Sequence, residues 1–445
     1  MIAYVLGVLV VAVGVAFSIA LHEIGHLVPA KRFGVKCSQY MIGFGPTIWS
    51  KQIGETRYGL KAIPLGGYVR MLGMFPPKPG RSAGYDSTGR WSMIIDQARD
   101  EAQVEIGPED ADRLFYQRSV PKRLVIMLGG PTMNFLIAVV LLAGLVMLYG
   151  QAVQTTTVDT VSKCVLPATA AANAACTTSD RPAPAAAAGL LPGDRILQID
   201  GTKVTDWDQV RIAIRAHGGI AMSVLVERGG AQVPVSLTPI MDRRKVLDTD
   251  GNVVLGSNGQ PLLEEVGFAG VSSLVETQRQ PISAVPGVVG GAVAKTAGVV
   301  LRIPQKMVGV AKAAFGSGER DPNGPVSVIG IGRMAGEVAS VQSGGDKPLT
   351  LGDRLAFLLS LVASLNVALF VFNLVPLLPL DGGHVAGALW EGLRRRVAQL
   401  FGRPDPGPVD VARALPLAYA VASTLLLMTV VLMYADLVRP VRLTG

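Results

Sequence analysis

The sequence predicts a polytopic α-helical membrane protein with four transmembrane helices, an extracytoplasmic α+β domain and a membrane-associated β-loop on the cytoplasmic side. Three observations predict it. Mean hydropathy is +0.41 and only 17% of the 445 residues are charged. Four uncharged runs each have the length that spans about 30 Å of hydrocarbon at about 1.5 Å per residue. A long segment of mixed polarity, 151–354, separates the second run from the third. Aromatic residues make up 6%, with 29 Pro and 52 Gly, which excludes a collagen-like or an acidic disordered chain. The net charge of +8 comes from cations scattered among the spans. With no basic stripe or aromatic interleaving, it excludes a nucleic-acid partner and reads as a bias toward the lipid bilayer surface.

Residues 1–30 hold the first span. Ile2–Leu21 carries no charge, no basic n-region precedes it and no small-residue cleavage pattern follows, so it reads as a retained helix rather than a signal peptide. The 31–123 loop sets Lys31, Arg32, Lys36, Lys122 and Arg123 against helix ends, and the 385–414 connection carries Arg394, Arg395 and Arg396. Both are therefore expected on the cytoplasmic side of a bacterial plasma membrane, with the two termini outside. The second span is 124–150, the third lies in 355–384 and the fourth is 415–436. A rival span at Ala284–Leu301 contains Lys295. If it crossed, the Asp381 end of the third span would face away from the His22 end of the first. By that parity, 277–354 is expected to lie in the membrane interface as an amphipathic segment.

Outside the membrane, 151–181 reads as a linker that includes part of the low-complexity stretch Ala168–Ala188. From Ala188 the pattern A-G-L-x-x-G-D-x-I-L-x-I-D-G, ending at Asp200-Gly201, is followed by helical spacing over Trp207–His217 and a hairpin over Met222–Leu237. This resembles a PDZ domain, placed at 182–276, with Asp250-Gly251 and Asn258-Gly259 as further turn signals. Of the three cysteines, Cys164 and Cys176 fall in the oxidising compartment and are expected to form a disulfide. Cys37 reads as a small buried residue.

The chemistry concentrates at two span ends. His22-Glu23-Ile24-Gly25-His26 is an H-E-x-x-H pattern. On a helix its imidazoles, four residues apart, share one face and suit one metal ion, with Glu23 in reach of the attacking water. Ionisable residues at the end of an apolar span are functional by default. Catalytic zinc takes three protein ligands, and His384, His217 and the carboxylates are the available types. The run Asn373 to His384, broken by Pro376 and Pro379, places a carboxylate, Asp381, at the same membrane edge. Asp381 is the simplest third ligand. His384 ranks below it.

On these residues the chain resembles the site-2 protease family of intramembrane zinc metalloproteases, over nearly its whole length. The resemblance rests on the H-E-x-x-H, on Asn373-x-x-Pro376 with Leu380-Asp381-Gly382, on Gly130-Pro131-Thr-Met-Asn134 and on the PDZ-like insert. Gly43-Phe44-Gly45-Pro46 and Ile63-Pro64-Leu65-Gly66-Gly67-Tyr68-Val69 point to the bacterial branch typified by the regulator-of-sigma-E protease. Two departures stand out: one PDZ-like module instead of a tandem pair, and Pro379 one place later than in the common N-x-x-P-x-P-x-L-D-G form.

The resemblance implies Zn2+ as cofactor and single-span membrane proteins as substrates, of the anti-sigma-factor type already trimmed by another protease, with remnant signal peptides as a further class. Glu23 would pass the water proton to the leaving amine. Asn373 and Asn366, seven residues apart on nearly one helix face, are candidates for holding the substrate backbone or the oxyanion. For Asn366 an interhelical hydrogen bond is an equal alternative. The Ile63–Met71 run resembles the family's membrane-associated β-loop. Its edge, at Gly66 and Gly67, would receive an unwound substrate as an added strand. The PDZ-like module is expected to filter substrate entry. A zinc-binding transporter should show inverted repeats, and a non-catalytic PDZ scaffold would not need Glu23.

Overall fold

The structure, a computed structural model, describes residues 1–76, 106–167, 175–178, 180–246, 254, 261–316, 320–321, 324–340 and 349–440. They fall into two units, Met1–Leu148 with Pro281–Gly445, and Tyr149–Gln280.

The first unit is helical. Helix α1 (Ile2–Arg32) runs without interruption through the H-E-x-x-H and ends on Lys31 and Arg32. A long hairpin follows, β1 (Cys37–Ile53) against β2 (Thr56–Met71), closed by Gly54 and Glu55. Gly54 has φ +61°, the left-handed backbone that a two-residue hairpin turn needs. The strands slip in register around Gly43 and Gly45, which are also left-handed, as β-bulges require. Helix α2 (Val120–Gly144) starts with Pro121 in its first turn and contains Pro131. It crosses α1 where Gly25 meets Gly129, so closely that neither position has room for a side chain.

The remaining helices of this unit follow the second one. The apolar pair is α4 (Val285–Leu301) and α5 (Ile303–Phe315); α3 (Trp207–Ala216) lies in the β-rich unit. Helix α6 (Val328–Ser340) lays Ala335, Gly336 and Ala339 on Tyr4 and Gly7 of α1. Helix α7 (Leu351–Asn373) opens on a reciprocal capping box between Thr350 and Asp353. After it come α8 (Asp381–Leu400) and α9 (Leu415–Val438).

Among the described residues, five helices are long and apolar enough to cross a membrane: Ile2–Arg32, Val120–Tyr149, Ile282–Leu301, Leu351–Asn373 and Val411–Val438. Four contain the four expected spans. The fifth is the Ala284–Leu301 run. The third span needs correction. It ends at Asn373, where 374–380 turns out of helix, because Pro376 and Pro379 remove two backbone donors. Asp381 therefore opens a separate helix instead of closing the span. Among the described residues, the 277–354 segment holds three distinct helices and the first turn of α7 rather than one amphipathic stretch.

In the second unit a six-stranded sheet has the order β10-β3-β4-β6-β7, with β5 paired to β4. Its strands are β3 (Gln151–Val161), β4 (Arg195–Ile199), β5 (Thr202–Lys203), β6 (Met222–Arg228), β7 (Ala231–Leu237) and β10 (Val271–Gln278). A separate ribbon pairs β8 (Ile240–Lys245) with β9 (Leu263–Phe268). Helix α3 (Trp207–Ala216) is capped by the Asp206 side chain. It turns Trp207, Val210 and Ile214 onto a core of Val158, Ile196, Met222, Val224, Val226 and Leu237. This corrects the expected linker at 151–181. Residues 151–161 form β3, because Thr156 and Val158 alternate inward and Val158 is 1% exposed. Asp200, at φ +47°, makes the Asp200-Gly201 turn. Cys164 and Cys176 are joined, with Cα atoms 5.9 Å apart. Residues 168–174 of the low-complexity stretch and the turns at Asp250-Gly251 and Asn258-Gly259 lie outside the described residues.

Candidate active site

The last turns of α1 and the first residue of α8 bring three ligand types together. Nε2 of His22 and Nε2 of His26 are 3.2 Å apart. Oδ2 of Asp381 lies 3.4 Å from the first and 3.3 Å from the second. Among the described residues, these three form the one cluster with metal-ligand character. Metal–ligand arms of about 2.0–2.1 Å in a tetrahedral site give edges of about 3.3 Å between donor atoms, and the three measured edges match that. Asp381 Oδ2 is buried and accepts no hydrogen bond, as a ligand oxygen would be. Two imidazoles and one carboxylate are a catalytic zinc donor set that leaves the fourth position open.

Backbone and side chains behind the ligands fix their tautomers. Nδ1 of His26 lies 2.8 Å from the Ile126 carbonyl, so it carries the proton and frees Nε2 for a metal. His22 Nδ1 is 3.0 Å from the Asn134 carboxamide, whose Oδ1 is buried without a partner. Once Nε2 of His22 binds a metal, Nδ1 must donate. The amide of Asn134 then presents Oδ1 to it. Asn134 was visible in the sequence as the end of G-P-x-x-N but carried no assigned role; the signal was a carboxamide in the middle of an apolar span.

Gly130 makes the approach of α2 possible. A methyl group there would collide with His26 Nε2 and come 2.7 Å from His22 Nε2. Glu23 is 8% exposed, and its carboxylate faces the backbone N–H of Val69 in β2. Strand β2 passes over it through Gly67, where a Cβ would come 2.9 Å from Glu23 Cγ and 3.0 Å from the Met41 carbonyl. Gly66 has φ +102° and packs against the Phe44 ring. The hairpin thus lies directly against the carboxylate.

The other sequence candidates take different positions. Asn366 is fully buried and donates to Ser18 Oγ and to the Val362 carbonyl, both at 2.8 Å. Ser18 is one turn before His22, so this bond sets α7 against α1. Asn373 is half-buried at the end of α7. His384 is on α8, one turn after Asp381, and lines a small cavity with Met74, Tyr116, Arg123 and Glu391. His217 caps α3, with Nδ1 2.8 Å from the Ala213 carbonyl, and pairs with Asp200. Cys37 is buried, which pushes its thiol pKa up to about 12.

The family model for peptidase family M50 matches residues 10–403, which include all three candidate ligands and Glu23. The chain belongs to peptidase family M50. Curated metalloprotease sequences align with most or nearly all of it. The zinc metalloprotease Rip1 of Mycobacterium tuberculosis is 32% identical over 449 residues, covering 99% of both chains. Rip1 of Mycolicibacterium smegmatis is 32% identical over 448 residues, covering 98% of each. The metalloprotease MmpA of Caulobacter vibrioides is 27% identical, covering 88% of this chain and 89% of its own. With five apolar helices of spanning length, this M50 chain is a multi-pass membrane zinc metalloprotease of the site-2 protease type.

Proposed function

We propose that this M50 peptidase performs regulated intramembrane proteolysis. Its substrates are single-span membrane proteins of the anti-sigma-factor type, cut after a first cleavage by another protease, with remnant signal peptides as a second class. One observation carries the reading. The general base, two imidazoles and a carboxylate converge at the end of a helix that is otherwise apolar and exposes Val5, Leu9, Val13 and Phe17, which only a lipid solvent favours.

Bound zinc supplies Lewis-acid polarisation of the scissile carbonyl and a water acidic enough to attack at neutral pH. Glu23, beside strand β2, takes that proton and delivers it to the leaving amine. Residues 67–70 of β2 pair only with 39–42 of β1, which leaves their other edge free among the described residues, and Gly66 and Gly67 lie there beside Glu23. An unwound substrate adds there as a strand and regains the backbone hydrogen bonds it lost on leaving its helix. Asn373 holds the substrate backbone. Asn366 serves as a clamp, its amide being committed to Ser18.

Both termini are outside and the active site is near the cytoplasmic face. Four spans cross, and α4 does not. Arg302, Lys306, Arg320 and Asp321 line one cleft after α4. Arg320 donates to Asp436 at 2.7 Å, near the end of α9 about 30 Å from its start. The start of α9 follows residues tied to Glu391 and Arg123, at the opposite end of α2 from Val146, where α4 begins its packing. On this reading α4 enters and leaves on one side. The PDZ-like unit, 149–280, is extracytoplasmic and filters substrates by excluding bulky outer domains or capturing a freed tail. Exposed Phe44, Ile48, Trp49 and Ile63 suit the hairpin to the membrane surface.

Substituting Glu23 by Gln in protein reconstituted with a single-span substrate tests the assignment. Zinc content should stay at one equivalent while cleavage disappears. Persistent cleavage would remove Glu23 as the base, and a zinc-dependent function untouched by Glu23→Gln would favour a transporter or a scaffold.

A further inference from the structure

Away from the metal cluster, a buried ion pair of the helical unit joins Arg123, at the start of α2, to Glu391, in the middle of α8. Arg123 is 5% exposed and Glu391 0%. One oxygen of Glu391 accepts from the Arg123 guanidinium and from Arg395 at 3.1 Å. The other accepts the Val409 N–H at 2.9 Å. Burying two charges is costly, and replacing such a pair by apolar residues is often neutral or stabilising. Stability is therefore a poor account of it.

Geometry supplies a better one. Helix α2 is the common neighbour of both ligand-bearing helices. Gly130 rests on His22 and His26, and Arg123, seven residues earlier on the same helix, grips α8. Glu391 is ten residues beyond Asp381, about 15 Å along α8. The start of α8 has no side-chain cap, and Gly382 and Gly383 pack it on the backbone of 374–378, so the far end of the helix is what sets its tilt. A tilt of α8 by about 4° about Glu391 would move Asp381 by about 1 Å over that lever, enough to loosen a metal site.

We propose that the Arg123–Glu391 pair is a positioning strut that sets the third ligand, Asp381, against the two histidines. The proposal rests on His22, His26 and Asp381 being the zinc ligands. Arg123 and Glu391 touch neither metal nor substrate and act only through α8.

The test is the zinc affinity of full-length protein, measured by competition with a chromophoric chelator. Glu391→Gln keeps the size of the side chain and an acceptor for Val409 while removing the charge. Arg123→Met removes the partner. Each should weaken zinc binding about 10- to 100-fold, the usual effect of losing an outer support of a metal ligand. Leu358→Ala, a buried change on α7, should lower the melting temperature and leave zinc affinity within about threefold. Parental zinc affinity in Glu391→Gln and Arg123→Met, with or without a lower melting temperature, would overturn the strut. So would an equal loss of affinity in Leu358→Ala. A parent chain that holds no zinc would instead overturn the ligand assignment.

Discussion

In the helical unit Ile2 is 80% exposed, Val13 66% and Phe17 61%, while Ser18, Glu23, His26, Asn134, Asn366 and Glu391 are all buried. In the unit from Tyr149 to Gln280 the order is reversed. Val158, Val210, Val224 and Val226 are at most 1% exposed, and the ion pairs lie mostly at its surface. One chain thus contains two solvents' worth of design. A β-rich unit that hides apolar side chains is held by the hydrophobic effect and depends on core volume. Helices whose apolar residues face outward gain nothing from hiding them in lipid, and rely on close backbone approach and buried polar contacts instead. The metal cluster uses the second kind of interior. The Ile126 carbonyl and the Asn134 carboxamide orient its two imidazoles.

The sharpest way to break this comparison is at a position where close approach is everything. Gly130→Ala places a methyl group against both histidine Nε2 atoms. It should lower zinc occupancy and proteolysis by at least about 100-fold, a larger loss than removing a hydrogen-bond partner of a metal ligand causes. Metal analysis and substrate cleavage on the same preparation check it. Near-parental zinc content would mean that α1 and α2 are farther apart than described.

A second substitution probes the other interior. Met222 is 2% exposed in the core of the β-rich unit. Met222→Ala should cost about 2–5 kcal/mol locally. Hydrogen exchange in the intact protein should rise across 149–280 and leave zinc affinity unchanged. Leu9→Ala, at a residue 51% exposed, should move neither quantity. Equal responses to the two substitutions would erase the contrast.

The smallest effect concerns acid. Arg228 donates two hydrogen bonds at 2.7 Å to Asp194, which is 1% exposed, and holds its carboxyl pKa below the ordinary value. A carboxyl depressed in the folded state contributes stability above its unfolded value of about 3.9, and that stability is lost as pH falls through the folded value. The β-rich unit should therefore weaken below about pH 4. Arg228→Met should be less stable at neutral pH and show a shallower acid dependence. Emission from Trp207, with the other tryptophans replaced by Phe, follows the transition. An unchanged acid dependence would remove this pair from the account.

The same contrast explains what was legible in the sequence. Uninterrupted apolar runs announce spans because length and composition suffice, and His22, Glu23 and His26 need only helical periodicity to share a face. Joining Asp381 to them required a further argument about membrane sides. Strand β3 was hidden because Thr155 to Val158 follow an apolar span directly and precede an alanine-rich stretch, so the period-two signal was short and its partners distant. Arg123 counted among the cytoplasmic cations that orient the spans. Nothing local distinguishes a surface arginine from one whose partner, Glu391, is 268 positions away. The contact of Val69 with Glu23 was equally invisible, because it uses a backbone N–H that every residue but proline has. Helices α4, α5 and α6, with charges among their apolar residues, read as one amphipathic segment; the turn at Arg302 separates α4 from α5, and the residues before Val328 separate α5 from α6.

The central claim is that His22, His26 and Asp381 together hold the catalytic zinc. X-ray absorption at the zinc edge, on the parent chain and on Asp381→Ala, addresses it most directly. The parent should show two imidazole nitrogens at about 2.0–2.1 Å and carboxylate oxygen at about 2.0–2.2 Å, without sulfur near 2.3 Å. Asp381→Ala should lose the carboxylate contribution together with most of its zinc. An identical spectrum and full zinc content in Asp381→Ala, or a sulfur ligand in the parent, would contradict the account.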